Sequence, residues 1–385
     1  TDIYKERYSK KNSVPLKYSD PTLASSFSSL SSSSWNPGIR YLDVPLLSFL
    51  IAHIAPFFNY NYYLAGTLMI PTLASIFILP LGIFFFRIGI PASGLLGGLI
   101  GTFASGYYMR SSIGRIDTDM LNLFFPLLAS LLILLSSQAK TERSVLLYSA
   151  GSGLSLFLFQ WWYNRPGFTL IYFVVLVFIL FIQQIRFRTI LLSSLLFVLC
   201  AHPDAFMNGT ISVQQFLRGY LVIEDVTTIT EIKNGTAPAT FPNTMSTISE
   251  VNHVRMEEVF RRILFNPLFD WAGLIALFGL AVLRWRVLLP MLPLLVLGLL
   301  SFKSSNRFIM YLAPFVGIGL GWLLQLVVEG GFYVFTQRRK DEEGPSTAHY
   351  SHAKTQRRKD TKGIKTQLPE AEFGDAVLTK VDWWN

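Results

Sequence analysis

Cysteine is nearly absent: Cys200 is the single one in 385 residues, and it lies inside an apolar run. One thiol cannot close an internal disulfide, and it cannot build a cysteine zinc cluster. Charge is also scarce, with Asp, Glu, Lys and Arg making up 15% of the chain. The long apolar runs carry almost none of it, which argues against a transporter, because transporters set ionisable groups near the bilayer midplane. Histidine numbers five. His202 and His253 have no partners at metal-ligand spacing and read as surface residues, while His53 lies on an apolar stretch and reads as structural. The sequence opens on Thr1-Asp2 with no initiator Met and no cleavable signal, and we expect it to be part of a longer gene product.

What is abundant is apolar. Hydrophobic residues make up 51% of the chain and aromatic residues 15%, with a mean hydropathy of +0.42. That is a membrane-protein composition. The net charge of +9 sits largely in short loops and in the last fifty residues. It therefore reads as topology and tail, and no nucleic-acid partner is expected.

Three regions follow. Residues 1–63 are expected to be a first outer loop, polar over 1–44, with a short apolar segment at 45–58 that is re-entrant or interfacial. Residues 64–330 hold nine candidate spans, at 64–86, 93–109, 120–137, 145–162, 168–185, 189–201, 267–283, 287–302 and 308–328. Residues 331–385 are expected to form a basic, disordered tail in which Thr336-Gln337-Arg338-Arg339-Lys340-Asp341 recurs from Thr355 to Asp360. Arg87, then Lys140 and Arg143, then Arg186 and Arg188, then Arg284 and Arg286, mark alternate loops as cytoplasmic. The segments 110–119, 163–167, 202–266 and 303–307 then face outward. The segment 202–266 contains an amphipathic helix, with Val251, Val254, Val259 and Ile263 at helical spacing.

The candidate chemistry falls on that outer side. Asp117 and Asp119 stand one residue apart between two apolar runs, behind Arg110 and Arg115. Paired carboxylates can hold Mg²⁺ or Mn²⁺; equally, either Asp can cap the helix that follows. Glu250 closes a capping-box pattern with Thr247. Arg307 starts a span, where an arginine either snorkels or binds an acidic group. Trp161-Trp162-Tyr163 ends a span and fits an aromatic belt. Asn208-Gly209-Thr210 and Asn234-Gly235-Thr236 are glycosylation acceptor patterns.

Taken together, these motifs resemble a family. Asp117-Thr118-Asp119-Met120-Leu121 after Tyr107-Tyr108-x-Arg110 resembles the second acidic motif of the oligosaccharyltransferase catalytic subunit, of the bacterial and archaeal single-subunit type. Thr1-Asp2-x-Tyr4, Trp161-Trp162-Tyr163, Thr247-Ile248-x-Glu250-Val251 and Arg307-Phe308-x-x-Tyr311 are similar to its other motifs, in order, over about residues 1–330. The resemblance implies an all-α, polytopic transmembrane bundle of the lipid-dependent glycosyltransferase (GT-C) type with long outer loops. It implies transfer of an oligosaccharide from a lipid-pyrophosphate carrier to asparagine in Asn-x-Ser/Thr, in the plasma membrane of a prokaryote. Asp2, Asp117, Asp119 and Glu250 would form the catalytic and metal site, with Mn²⁺ or Mg²⁺ neutralising the leaving pyrophosphate. Asp2 and Glu250 would bind the acceptor amide, Arg307 would sit near the acceptor peptide, and Tyr163 near the donor, with Arg110 also binding substrate.

Measured against the family pattern, a helix before Asp2, a helical hairpin after residue 201, and the last span with its outer domain are expected to be missing from this sequence. That domain carries a Trp-Trp-Asp-Tyr-Gly signature, and this chain ends on Val381-Asp382-Trp383-Trp384-Asn385. Two alternatives stand beside the family reading: another polyprenyl-phosphate glycosyltransferase, or an inactive remnant of such an enzyme.

Overall fold

The computed structural model describes residues 46–116, 118–163, 165–203, 206, 208–214, 256–303 and 306–342. Asp2, Asp117, Glu250, the polar loop 1–44, most of the 202–266 segment, Asn234 and the tail beyond 342 lie outside the described residues. Among those described, the structure is helical and contains no strand. The chain divides into two compact units, Thr1–Gln325 and Leu326–Asn385. The helices of the first unit are α1 (Leu46–Ile54), α2 (Tyr62–Ser75), α3 (Ile78–Arg87), α4 (Pro91–Phe103), α5 (Ser105–Tyr108), α6 (Phe124–Gln138), α7 (Glu142–Trp162), α8 (Pro166–Ile182), α9 (Phe187–Ala201), α10 (Met256–Arg261), α11 (Pro267–Leu283), α12 (Trp285–Leu288) and α13 (Leu292–Leu299). The last helix, α14 (Ile309–Glu342), starts in the first unit; the described part of the second unit is its continuation to Glu342.

Four stretches are long and apolar enough to cross a membrane: Tyr62–Arg87, Thr118–Gln138, Trp285–Phe302 and Ile309–Phe332. Shorter apolar helices occur at Leu46–Phe58, Pro91–Phe103, Gly167–Ile182, Phe187–Ala201 and Pro267–Leu283. The nine expected spans all fall on helices, but several are shorter or more broken than a straight 20-residue span. The first is interrupted between Ser75 and Ile78, where Pro80 has no N–H to return to Ile76 and the Ser75 hydroxyl turns back onto the Thr72 carbonyl. The eighth is divided by Pro290 and Pro293 into α12, a 3₁₀ turn (Leu289–Met291) and α13. The 45–58 segment is α1 plus a 3₁₀ turn (Ala55–Phe58), and left-handed residues Asn59 and Tyr60 stop it.

Packing between apolar helices in lipid gains little from the hydrophobic effect, so close contact and small residues carry it. Two seams show this. On α6 and α7, Ser155 donates to the Phe125 carbonyl at 2.9 Å and Ser136 pairs with Ser149 at 3.0 Å. Ser130 reaches the Pro290 carbonyl at 2.8 Å and the Tyr172 hydroxyl at 3.1 Å, tying α6 to α8 and to the turn before α13. On α14, Gly317 and Gly321 lie against the backbone of α4, and Gly319 lies against Gly273 of α11. A methyl group on Gly317 would stand 2.5 Å from the Leu96 carbonyl, and one on Gly319 would overlap the Gly273 carbonyl. These positions need glycine because backbone meets backbone.

Candidate functional site

The site grows from the chain between α4 and α6. Ala104 leaves helical geometry (ψ 129°), so α4 stops and α5 restarts at an angle. Gly114, at φ 92°, then lets the chain double back through a left-handed turn. The return leg ends in a 3₁₀ turn, Thr118–Leu121, that carries Asp119.

Both ends of this turn are pinned. The Trp162 indole Nε1 donates to the Thr118 carbonyl at 2.6 Å. The Tyr107 hydroxyl lies 2.7 Å from the Met120 carbonyl and 2.9 Å from the Ala74 carbonyl, joining the turn to α2. Tyr107 is fully buried against Phe77.

Asp119 is fully buried and serves three donors. Arg110 Nη1 donates to Oδ2 at 2.7 Å, Arg307 Nη2 to Oδ1 at 2.9 Å, and Asn122 Nδ2 to Oδ1 at 3.0 Å. These are charge-assisted bonds to a buried carboxylate, the strongest kind a carboxylate makes. Burial works against the Arg307 cation, but the Asp119 charge and hydrogen bond outweigh it and raise its pKa. The Arg307 guanidinium also lies over the Tyr163 ring, 5.7 Å from its centroid, and that of Arg165 lies 5.2 Å from the same centroid.

The structure thus unites Arg110, Asp119, Tyr163 and Arg307, spread over 198 positions, in one site. Two alternatives are resolved. Asp119 does not cap the helix that follows, since α6 starts after Leu123 without a side-chain cap and the Asp119 oxygens take side-chain donors. Arg307 does not simply snorkel, because it reaches an acidic group, and that group is Asp119. Sequence reasoning missed Asn122 and Arg165. Asn122 was visible as a polar residue three after Asp119 inside an apolar run, and Arg165 as a cation two after Tyr163 on the same side.

The described residues contain no group of three His, Cys, Asp or Glu side chains placed to share a metal ion. Among the described residues, the Asp119 oxygens accept three bonds, two of them from guanidinium groups.

A bundle of apolar helices that span the membrane, with a buried arginine-bracketed carboxylate where its loops converge, defines a polytopic integral membrane protein. The sequence model of "Oligosaccharyl transferase STT3, N-terminal" matches residues 23–337, and the chain belongs to that family. It is 26% identical over 277 residues to the undecaprenyl-diphosphooligosaccharide–protein glycotransferase of Campylobacter jejuni subsp. jejuni serotype O:2, and equally to that of C. jejuni strain RM1221. Those matches cover 61% of this chain but 37% of each relative, so the chain spans little more than a third of their length. Among solved structures, the archaeal oligosaccharyltransferase AglB from Archaeoglobus fulgidus, in complex with an inhibitory peptide and a dolichol-phosphate, is similar over 84% of this chain and 44% of its own, at 14% identity and a TM-score of 0.49.

Proposed function

We propose that this chain is the membrane part of an oligosaccharyltransferase, transferring an oligosaccharide from a lipid-pyrophosphate donor to the side-chain amide of asparagine in Asn-x-Ser/Thr. The observation that carries the reading is the Asp119 bridge between Arg110 and Arg307 in a member of this family. In the reaction the amide nitrogen bonds to the anomeric carbon, the bond from that carbon to the pyrophosphate oxygen breaks, and an amide proton leaves to a base. The pyrophosphate departs with the bonding electrons.

The residues divide the work. Arg110 and Arg307, held by Asp119, present positive charge where a leaving pyrophosphate gathers negative charge. The Arg307 guanidinium lies over the ring of Tyr163, the residue assigned to the donor, which supports this role. Asp2, Asp117 and Glu250 would hold Mn²⁺ or Mg²⁺, which supplies Lewis-acid stabilisation of the leaving group. Asp2 and Glu250 would also bind the acceptor amide. Asp119 is set apart from this set: it anchors the two arginines and is not a ligand. The arginines of alternate loops, Arg87, Arg143, Arg186 and Arg284, support a site on the outer face of a prokaryotic plasma membrane.

The test is transfer from a lipid-linked oligosaccharide to a fluorescent Asn-x-Thr peptide in detergent, using a full-length chimera with the remainder of a relative. Loss of transfer in Asp117→Ala, Glu250→Gln and Arg307→Ala is expected. Transfer to a lipid or sugar with none to the peptide would replace this reading with the other polyprenyl-phosphate glycosyltransferase.

A further inference from the structure

We propose that Arg165 is an additional anion-binding residue of the donor site, gripping the pyrophosphate of the lipid-linked donor together with Arg307 at Tyr163. The inference rests on the functional reading above and adds a residue to it.

The observation is a shared ring. Both guanidinium groups lie over Tyr163, at 5.2 Å for Arg165 and 5.7 Å for Arg307. Arg165 Nη2 also reaches the Tyr163 hydroxyl at 3.4 Å. Two cations within 6 Å of one ring centroid concentrate positive charge around it, which favours an anion there. The two arginines differ in their commitments. Arg307 is bonded to Asp119 and a third of its side chain is exposed. Arg165 is exposed and forms no ion pair with a carboxylate among the described residues.

The fold fixes Arg165 in place. It is the N-cap residue of α8, three positions after Trp162, whose indole is bonded to the turn bearing Asp119. The anchor that sets the Asp119 turn therefore also sets where Arg165 stands. The Tyr163 ring holds the side chain against one surface before any ligand arrives, so less rotamer freedom is lost on binding. A planar guanidinium fork suits phosphate oxygens and accepts them in pairs. Arg165 has the open charge, the preset geometry and the chemistry of a phosphate ligand, beside a cation already assigned to the leaving group.

The test measures binding to the purified chain in detergent by calorimetry. The probes are farnesyl pyrophosphate (a short prenyl pyrophosphate without sugar), inorganic pyrophosphate and farnesol. Arg165→Ala is expected to weaken both pyrophosphates roughly tenfold, the size of one charge-assisted hydrogen bond, and to leave farnesol unchanged. Arg165→Lys keeps the charge but not the fork, and should recover part of the loss. Weakening of inorganic pyrophosphate alone would mean a free-anion site and would overturn the donor assignment. Equal weakening of farnesol would show a change of fold and overturn the proposal. If Arg307→Ala loses pyrophosphate and Arg165→Ala does not, the inference fails and the functional reading stands. If wild type fails to bind, or neither variant loses affinity, both fail.

Discussion

Removing the Asp119 charge should unfold the site before it affects any chemistry. The carboxylate is wholly buried, and the Arg110 side chain that faces it is 8% exposed. Breaking a buried ion pair from one side costs about 3–5 kcal/mol, because the surviving charge keeps its desolvation penalty. Arg110 and Arg307 both keep other interactions, so the lower end applies, near 3 kcal/mol. At roughly 2–4 °C per kcal/mol, Asp119→Ala should lower the melting temperature by about 6–12 °C. Asp119→Asn keeps the shape and one acceptor oxygen and should fall between. The companion variant is Asp119→Leu with Arg110→Met, which replaces that pair by apolar groups of similar bulk and should recover part of the loss, since Arg307 and Asn122 still lose their acceptor. The assay is thermal unfolding in detergent, followed by tryptophan fluorescence. A drop below about 2 °C for Asp119→Ala would refute the reasoning, since it would mean that Asp119 holds nothing in place.

Other predictions bear on neighbouring parts. Mn²⁺ binding, followed by electron paramagnetic resonance, should be lost in Asp117→Ala and Glu250→Gln but kept in Asp119→Asn; loss in the last would make Asp119 a metal ligand. Tyr107→Phe removes the hydroxyl that reaches the Met120 carbonyl and should cost about 1 kcal/mol; an unchanged melting temperature would show that this contact does not hold the turn. Trp162→Phe removes the indole donor to the Thr118 carbonyl and should cost about 1 kcal/mol, with a matching fall in farnesyl pyrophosphate affinity; unchanged affinity would separate the turn from the donor site. Gly319→Ala drives a methyl group into the Gly273 carbonyl and should destabilise by about 1–3 kcal/mol, read as faster unfolding in dodecyl sulfate.

The helices were legible because bilayer crossing writes itself into composition: an apolar run of the right length has few alternatives. Their interruptions were less so. Pro80 and Pro290 sit in runs that hydropathy averages over, and only the local amide accounting reveals the break. At the site, Asp119 and Arg307 were both visible as charges at span ends, yet nothing in the spacing tells which charge meets which across 188 positions. That pairing depends on α14 starting beside the end of α7, which is a property of packing. Asn122 and Arg165 were passed over for a related reason: each is ordinary alone and acquires meaning from Asp119 and Tyr163.

The glycine contacts of α14 bear on how this chain can drift. Where Gly317, Gly319 and Gly321 touch α4 and α11, the spacing of three helices is set by main-chain atoms, which every residue type shares. Outward-facing positions such as Leu95, Ile275 and Phe278 then have no say in that spacing. They can exchange freely among apolar residues while the frame stays put. Sequence change is channelled onto the lipid-facing surface, and three residues without side chains bear the constraint for the rest.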